Sequence, residues 1–231
     1  MKVKICGLTT PEDAALAVEL GADLLGVNFW PGSPRCVDLD RGAEVARAAR
    51  GAVPRGARPP LLVGVFVDQT AAFVDQAIAA AGLDVVQLHG DEEPSMLSRL
   101  PNGRVMKALR VADGFDAPAA AATWQGAWGL LFDASRPGLY GGTGASWPWR
   151  RVAALDASAE NGEGRRARPR VLVAGGIAPG RLGALVAQAG DWRPWGIDVC
   201  SGVERSPGRK DARKMRALFE EVRDGEVFSV A

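Results

Sequence analysis

Histidine is nearly absent from this chain: His89 is the only one in 231 residues. That removes the usual His-rich zinc sites and any chemistry needing two imidazoles. Cysteine is scarce as well. Cys6, Cys36 and Cys200 form no CxxC pair, and an odd number of thiols suits a reducing compartment better than a disulfide framework. An excess of one charge is missing too, since 28 basic residues meet 27 acidic ones for a net charge of +1. There is thus no electrostatic basis for a nucleic-acid or acidic-membrane partner, and the most basic stretch, GRRARPR at 164–170, reads as a solvated loop. No apolar run reaches the length of a membrane span and the N-terminus has no signal-peptide pattern, so a cytoplasmic protein is expected. Composition points to chemistry that leans little on cofactors.

What is present is a rhythm. Short Val/Leu-rich runs alternate with helix-like segments: KVKIC (2–6), DLLGVNF (23–29), LLVGVFV (61–67), DVVQLH (84–89), RVMKALR (104–110), WGLLFDA (128–134), RVLVAGG (170–176) and WGIDVCSG (195–202). The intervening helices are expected at 11–20, 41–50, 70–81, 92–100, 116–124, 149–155, 180–190 and 210–224. Nearly continuous apolar runs are what strands look like when helices cover both faces of a parallel sheet. Eight strand–helix units in this length predict a single (β/α)8 barrel over residues 1–231, with a doubly wound open sheet as the competing architecture. One stretch breaks the rhythm: DASAENGEGRRARP, within 156–169, is polar and aperiodic and reads as a flexible surface loop.

Barrel enzymes work at the C-terminal ends of their strands. The candidates read off those ends are Cys6, Asn28, Arg35, Asp68, Gln87, His89, Lys107, Arg110, Asp133, Gly175, Gly176, Asp198, Ser201 and Gly202. Lys2, Lys4 and Cys6 share one face of the first run, which then meets a helix start, TTPED, with Thr9 or Thr10 as cap and Pro11 in the first turn. The glycines of AGGIAPG and CSGVERSPG follow the seventh and eighth runs, where barrels commonly hold phosphate on backbone N–H groups and a helix N-terminus. GLYGGTGA (138–145) lacks both GK[ST] and GxGxxG, so a lid over a small substrate is the better reading than a nucleotide site. Other residues stay open on their own. Asp133 is either a solvated turn cap or a proton donor. Cys6 is either a small packed hydrophobe or a reactive thiol. His89 is either a core residue donating to a carbonyl or part of a site.

In order along the chain, KICG, TTPEDA, GADLLGVNF, PGSPRCV, VGVFVD, VVQLHGDE, LLFD, YGGTG, VLVAGGI, DVCSGVE and PGRKD resemble phosphoribosylanthranilate isomerase of tryptophan biosynthesis. The likeness runs from residue 2 to about 211, and KICG, QLHG, GGTG and SGVE in sequence make a specific combination. It implies a (β/α)8 barrel that converts a small phosphorylated aminosugar, N-(5'-phosphoribosyl)anthranilate, to its 1-deoxyribulose product by an Amadori rearrangement without cofactor. It further implies Cys6 as general base, Asp133 as general acid and Arg35 on the anthranilate carboxylate. Gln87, His89, Gly142 and Gly144 would contact substrate, and Gly175, Gly176, Ser201 and Gly202 its phosphate. Those residue types suit the reaction. A carboxylic acid held protonated among apolar neighbours can protonate the ring oxygen, and a thiolate supported by the lysines of its own strand can remove the C2 proton.

The sequence departs from the family pattern in four places. GGTG continues as ASWPW, with Ala145 and Pro148; Cys36 stands where an aromatic residue is common, Cys200 where serine is common, and the 156–169 segment is long. A related histidine-pathway sugar isomerase uses two aspartates as acid and base, which a cysteine ending the first run argues against. The remaining alternative is a barrel that binds a phosphosugar without turning it over. Monomer and homodimer are both left open.

Overall fold

A computed structural model describes residues 1–100, 104–134, 147–153, 155 and 170–224. Its elements are β1 Lys2–Ile5, α1 Pro11–Leu20, β2 Leu24–Asn28, α2 Leu39–Gly51, β3 Leu61–Phe66, α3 Ala71–Ala81, β4 Val85–Leu88, α4 Met96–Arg99, β5 Val105–Val111, α5 Ala117–Thr123, β6 Gly129–Ala134, β7 Val171–Val173, α6 Leu182–Ala187, β8 Gly196–Val199, a hairpin of β9 Glu204–Ser206 and β10 Arg209–Lys210, and α7 Ala212–Arg223. β1 to β8 form a closed barrel in sequence order. The seam is the parallel pairing of β1 with β8, where Lys4 lies opposite Asp198 and Ile5 opposite Val199. The open-sheet alternative is excluded by that closure.

Alternation divides each strand between two cores. Leu24, Val63, Val85, Met106, Leu131 and Leu172 fill the barrel interior. Val3, Ile5, Val27, Phe66, Leu88, Phe132, Val173 and Ile197 belong instead to the larger layer under the helices. Because side chains on a strand alternate in direction, the inward set of the interior layer continues upward to Cys6, Asn28, Gln87, Asp133 and Asp198. The fold thus delivers polar groups to the barrel mouth by parity alone.

Local signals behave as the sequence suggests, with corrections. Thr10, not Thr9, caps α1: its hydroxyl accepts from Asp13 N at 3.2 Å, and Pro11 opens the helix. Thr9 is engaged elsewhere, donating to the Gly208 carbonyl beside the β9–β10 hairpin. The helix expected over 92–100 is only Met96–Arg99, because the Glu92 carboxylate turns back to accept from Gly90 N and Lys107 Nζ. The helix expected over 149–155 is a 3-10 turn, Trp149–Val152. No described helix is long and apolar enough to cross a membrane. The 156–169 segment and the glycine-rich stretch containing Gly142, Gly144 and Ala145 lie outside the described residues.

Candidate active site

A cleft opens at the C-terminal end of the barrel. It is lined by Cys6, Asn28, Ser33, Arg35, Gln87, His89, Asp133, Gly175, Gly176, Asp198, Cys200, Ser201 and Gly202. Eleven of the sequence candidates are thereby brought together, and three are not. Asp68 ties two loops, accepting from Asp91 N at 2.7 Å. Lys107 faces outward, with its ammonium 2.6 Å from Glu92 and 5.1 Å from the Trp124 ring. Arg110 pairs with Asp91. Lys107 follows from parity, since Met106 and Ala108 on either side point into the barrel interior.

Cys6 sits one residue beyond β1, with its N–H on the Val199 carbonyl at 2.9 Å and its side chain buried. Space for the sulfur comes from Gly26 on β2, where a Cβ would lie 2.8 Å from Cys6 Sγ and 3.2 Å from Lys4 Nζ. The Cys200 thiol, hydrogen-bonded to Cys6, draws the Cys6 thiol well below its ordinary range. Burial opposes this, and Lys4 and Lys210 assist it. Cys200 moves the other way, well above its ordinary range, because its proton is engaged by Cys6 and because it is buried. The arrangement favours ionisation of Cys6 over that of Cys200.

Two ion clusters frame the thiols. Lys4 Nζ donates to Asp198 Oδ1 at 2.8 Å within the barrel. Burial works against the charge of Lys4, but Asp198 and then Cys6 outweigh it and hold the ammonium protonated beyond its usual range. Burial pushes Asp198 up to about 7 even against Lys4, so the pair titrates through its carboxyl. Lys2, expected to join Lys4 beside the thiol, does not. It lies at the other end of β1 and pairs with Asp23 at 2.7 Å, about 13 Å along the strand from Cys6 by strand rise.

The second cluster centres on Glu204. Arg35 grips it with Nε at 2.9 Å and Nη2 at 2.7 Å, and Lys210 Nζ reaches the same carboxylate at 2.9 Å. Burial disfavours the Glu204 charge, yet the Arg35 hydrogen bond and then Lys210 hold its carboxyl below the usual range. Lys210 also donates to the Cys6 carbonyl at 2.5 Å and the Cys200 carbonyl at 3.2 Å. Sequence reasoning missed this role of Glu204 and Lys210. Their signal lies within the SGVE and PGRKD segments, but only the hairpin fold brings them to Arg35.

Across the mouth, Asp133 is held by its own strand end, Oδ1 accepting from Ala134 N at 2.8 Å. His89 Nε2 stands 3.7 Å from Asp133 Oδ2. Gln87 Nε2 and His89 Nδ1 are hydrogen-bonded at 3.0 Å. His89 Nε2 and Gln87 Oε1 are buried without a hydrogen-bond partner among the described residues. His89 therefore belongs to the cleft, and the reading as a core residue bonded to a carbonyl is set aside.

Gly175 and Gly176 follow β7 with φ of +95° and +68°, a region that side chains strongly disfavour. At Gly202 a Cβ would lie 1.9 Å from the Ile177 carbonyl oxygen, so the loops after β7 and β8 touch through bare backbone. The start of α6 is not open to an anion. Gly180 N and Gly183 N donate to Glu221 of α7 at 2.7 and 3.2 Å, which narrows the sequence expectation to the loop amides alone. Trp147 donates to the Ala174 carbonyl at 2.9 Å, packing against the cleft wall.

Similarity to known proteins agrees with this layout. The family model for N-(5'-phosphoribosyl)anthranilate (PRA) isomerase matches residues 3–221. The N-(5'-phosphoribosyl)anthranilate isomerase of Thiobacillus denitrificans is 38% identical over 226 residues, spanning 96% of this chain and 98% of its own. The crystal structure of the Thermus thermophilus phosphoribosyl anthranilate isomerase superposes with a TM-score of 0.78 at 35% identity, covering 97% of this chain and 99% of that one. A further isomerase of this kind, solved in complex with reduced 1-(o-carboxyphenylamino)-1-deoxyribulose 5-phosphate, superposes with a TM-score of 0.72 at 25% identity over 97% of this chain and 99% of that one. With the barrel, the cleft and the family model in agreement over nearly its full length, the chain belongs to the N-(5'-phosphoribosyl)anthranilate isomerase family.

Proposed function

We propose that this protein isomerises N-(5'-phosphoribosyl)anthranilate to 1-(2-carboxyphenylamino)-1-deoxyribulose 5-phosphate in tryptophan biosynthesis, using side-chain acid and base catalysis. The observation that carries the reading is a thiol whose ionisation its neighbours favour, Cys6, and a carboxyl, Asp133, facing one cleft whose far wall is glycine backbone. Asp133 gives its proton to the furanose ring oxygen. The ring C–O bond opens and the anthranilate nitrogen becomes an iminium. Cys6 then takes the C2 proton, leaving an enolamine that tautomerises to the ketose. The negative sulfur and the positive iminium favour one another across the cleft.

Arg35 orients the substrate. Glu204 occupies its Nε and one Nη2 hydrogen, leaving the Nη1 edge of the fork for the anthranilate carboxylate. His89 and Gln87 contact the sugar through the buried Nε2 and Oε1 atoms. Gly175, Gly176, Ser201 and Gly202 receive the phosphate on backbone N–H groups. The enzyme works in the cytoplasm on a free metabolite.

The test is the fall in anthranilate fluorescence when the purified protein meets fresh phosphoribosylanthranilate, with Cys6→Ala, Cys6→Ser and Asp133→Ala alongside. The expected result is turnover by the natural protein and its loss in all three variants. Serine fails because its hydroxyl is far harder to deprotonate than a thiol. Undiminished turnover in Cys6→Ala would remove the assigned base. No turnover by the folded natural protein would turn attention to the histidine-pathway aminoaldose.

A further inference from the structure

The second thiol in the cleft has no part in the acid–base scheme as a reacting atom. Cys200 follows β8 as Cys6 follows β1, one residue past the registered pair Ile5–Val199. Adjacent strands run about 4.8 Å apart, and a disulfide requires Cα atoms roughly 4.4–6.8 Å apart. Each sulfur packs against a glycine instead of a side chain: the Cβ position of Gly7 lies 3.0 Å from Cys200 Sγ, and that of Gly26 lies 2.8 Å from Cys6 Sγ. Both cysteines line the open cleft, where a small solute can reach them, and both are free thiols. Cys36 does not line it, and its thiol is directed to the Val37 carbonyl at 3.7 Å.

We propose that Cys6 and Cys200 form a peroxide-modifiable dithiol, closing to an intramolecular disulfide that takes away the catalytic base. The opposite shifts support the order of events, since the neighbours draw the Cys6 thiol down and leave the Cys200 thiol up. The Cys6 thiolate attacks one oxygen of hydrogen peroxide, the O–O bond breaks, and hydroxide leaves to give a Cys6 sulfenic acid. Cys200 sulfur then attacks Cys6 sulfur. The S–O bond breaks, the sulfenic hydroxyl departs with the Cys200 proton as water, and the S–S bond forms. Two electrons have passed from the sulfurs to peroxide. Lys210, 4.0 Å from Cys200 Sγ, favours the negative charge that develops on the attacking sulfur. A nearby resolving thiol also spares Cys6 from over-oxidation, so the loss is reversible. The effect on turnover rests on Cys6 as the base; formation of the bond does not.

The experiment treats the reduced full chain with a small excess of hydrogen peroxide, alkylates it under denaturing conditions, and reads peptide map, intact mass and turnover together. The expected result is a Cys6–Cys200 cross-linked peptide, loss of the mass of two hydrogens, and a single alkylated thiol, Cys36. Turnover falls in step with the linked fraction and dithiothreitol restores it. In Cys200→Ser no link forms, and a sulfenic acid on Cys6 is trapped by dimedone. Three alkylatable thiols after treatment of the folded protein, or a link through Cys36, would overturn the proposal. A Cys6–Cys200 link with full turnover would uphold the bond while removing Cys6 as the base, which separates the two ideas.

Discussion

Lys4 Nζ and Asp198 Oδ1 stand 2.8 Å apart inside the barrel, with their side chains 0% and 7% exposed. Neither charge has water to fall back on, so each depends on the other. A buried pair of this kind adds little compared with an apolar pair, but breaking it from one side leaves a bare charge at a cost of about 3–5 kcal/mol. Lys4→Met and Asp198→Leu are each expected to lower the urea midpoint strongly, and the double variant to recover much of the loss. Equal midpoints for both singles, the double and the natural protein would show that the pair does not matter to stability.

The Cys6 thiolate should be visible in pH dependence. It faces Cys200 and Asp198 from the β8 side, Lys4 from its own strand, Lys210 from β10 and Arg35 from the loop after β2. Its folded thiol lies well below the unfolded one. It therefore contributes stability that is present above the ordinary thiol range and lost as pH falls through the lowered folded value. Cys200→Ala removes the largest influence holding that value down. The acid limb of kcat/KM, and the pH dependence of Cys6 alkylation by iodoacetamide, should both move to higher pH. An unmoved limb would mean that Lys4 and Lys210 suffice.

Glu204 balances two cations at once. Glu204→Gln keeps the shape and deletes the charge, leaving Arg35 and Lys210 to repel each other in a half-dry site. We expect a fall in stability on the order of 3 kcal/mol and a rise in KM of about tenfold with a smaller change in kcat, as befits lost ground-state positioning. Steady-state kinetics beside a denaturation curve separates the two effects.

Gly202→Ala tests the contact between the loops after β7 and β8, to which the proposed function assigns the phosphate. A methyl group there meets the Ile177 carbonyl oxygen at 1.9 Å, and backbone cannot swing aside as a side chain would. The variant should melt lower and raise KM for the phosphorylated substrate, whereas Gly183→Ala, with open space around its Cβ position, should do neither. Matching KM values for the two variants would place the phosphate elsewhere.

The barrel was legible because parallel strands covered on both faces leave near-continuous apolar runs, and eight of them are hard to mistake. Parity then located Cys6, Gln87, Asp133 and Asp198 together, since a strand that sends Leu131 inward must send Asp133 inward as well. Lys107 was misplaced by attending to its nearness to a strand end instead of its phase. Lys2 shared the phase of Cys6 but not its end of the strand. The helix expected from Glu92 begins only at Met96, because the Glu92 carboxylate is engaged by Lys107 and Gly90. Glu204 and Lys210 could not be read at all: their partners Arg35 and Cys6 are 169 and 204 residues away in sequence, and no local pattern records such a meeting.

That separation has a consequence for synthesis. Cys6 is synthesised well before Cys200 and Lys210, two of the groups that favour its ionisation. Until the final strand pairs along the β1 seam, the nascent chain carries an ordinary, sluggish thiol. The nucleophile is switched on by closure of the barrel itself, so an unfinished or misfolded chain exposes no activated sulfur to the cell around it.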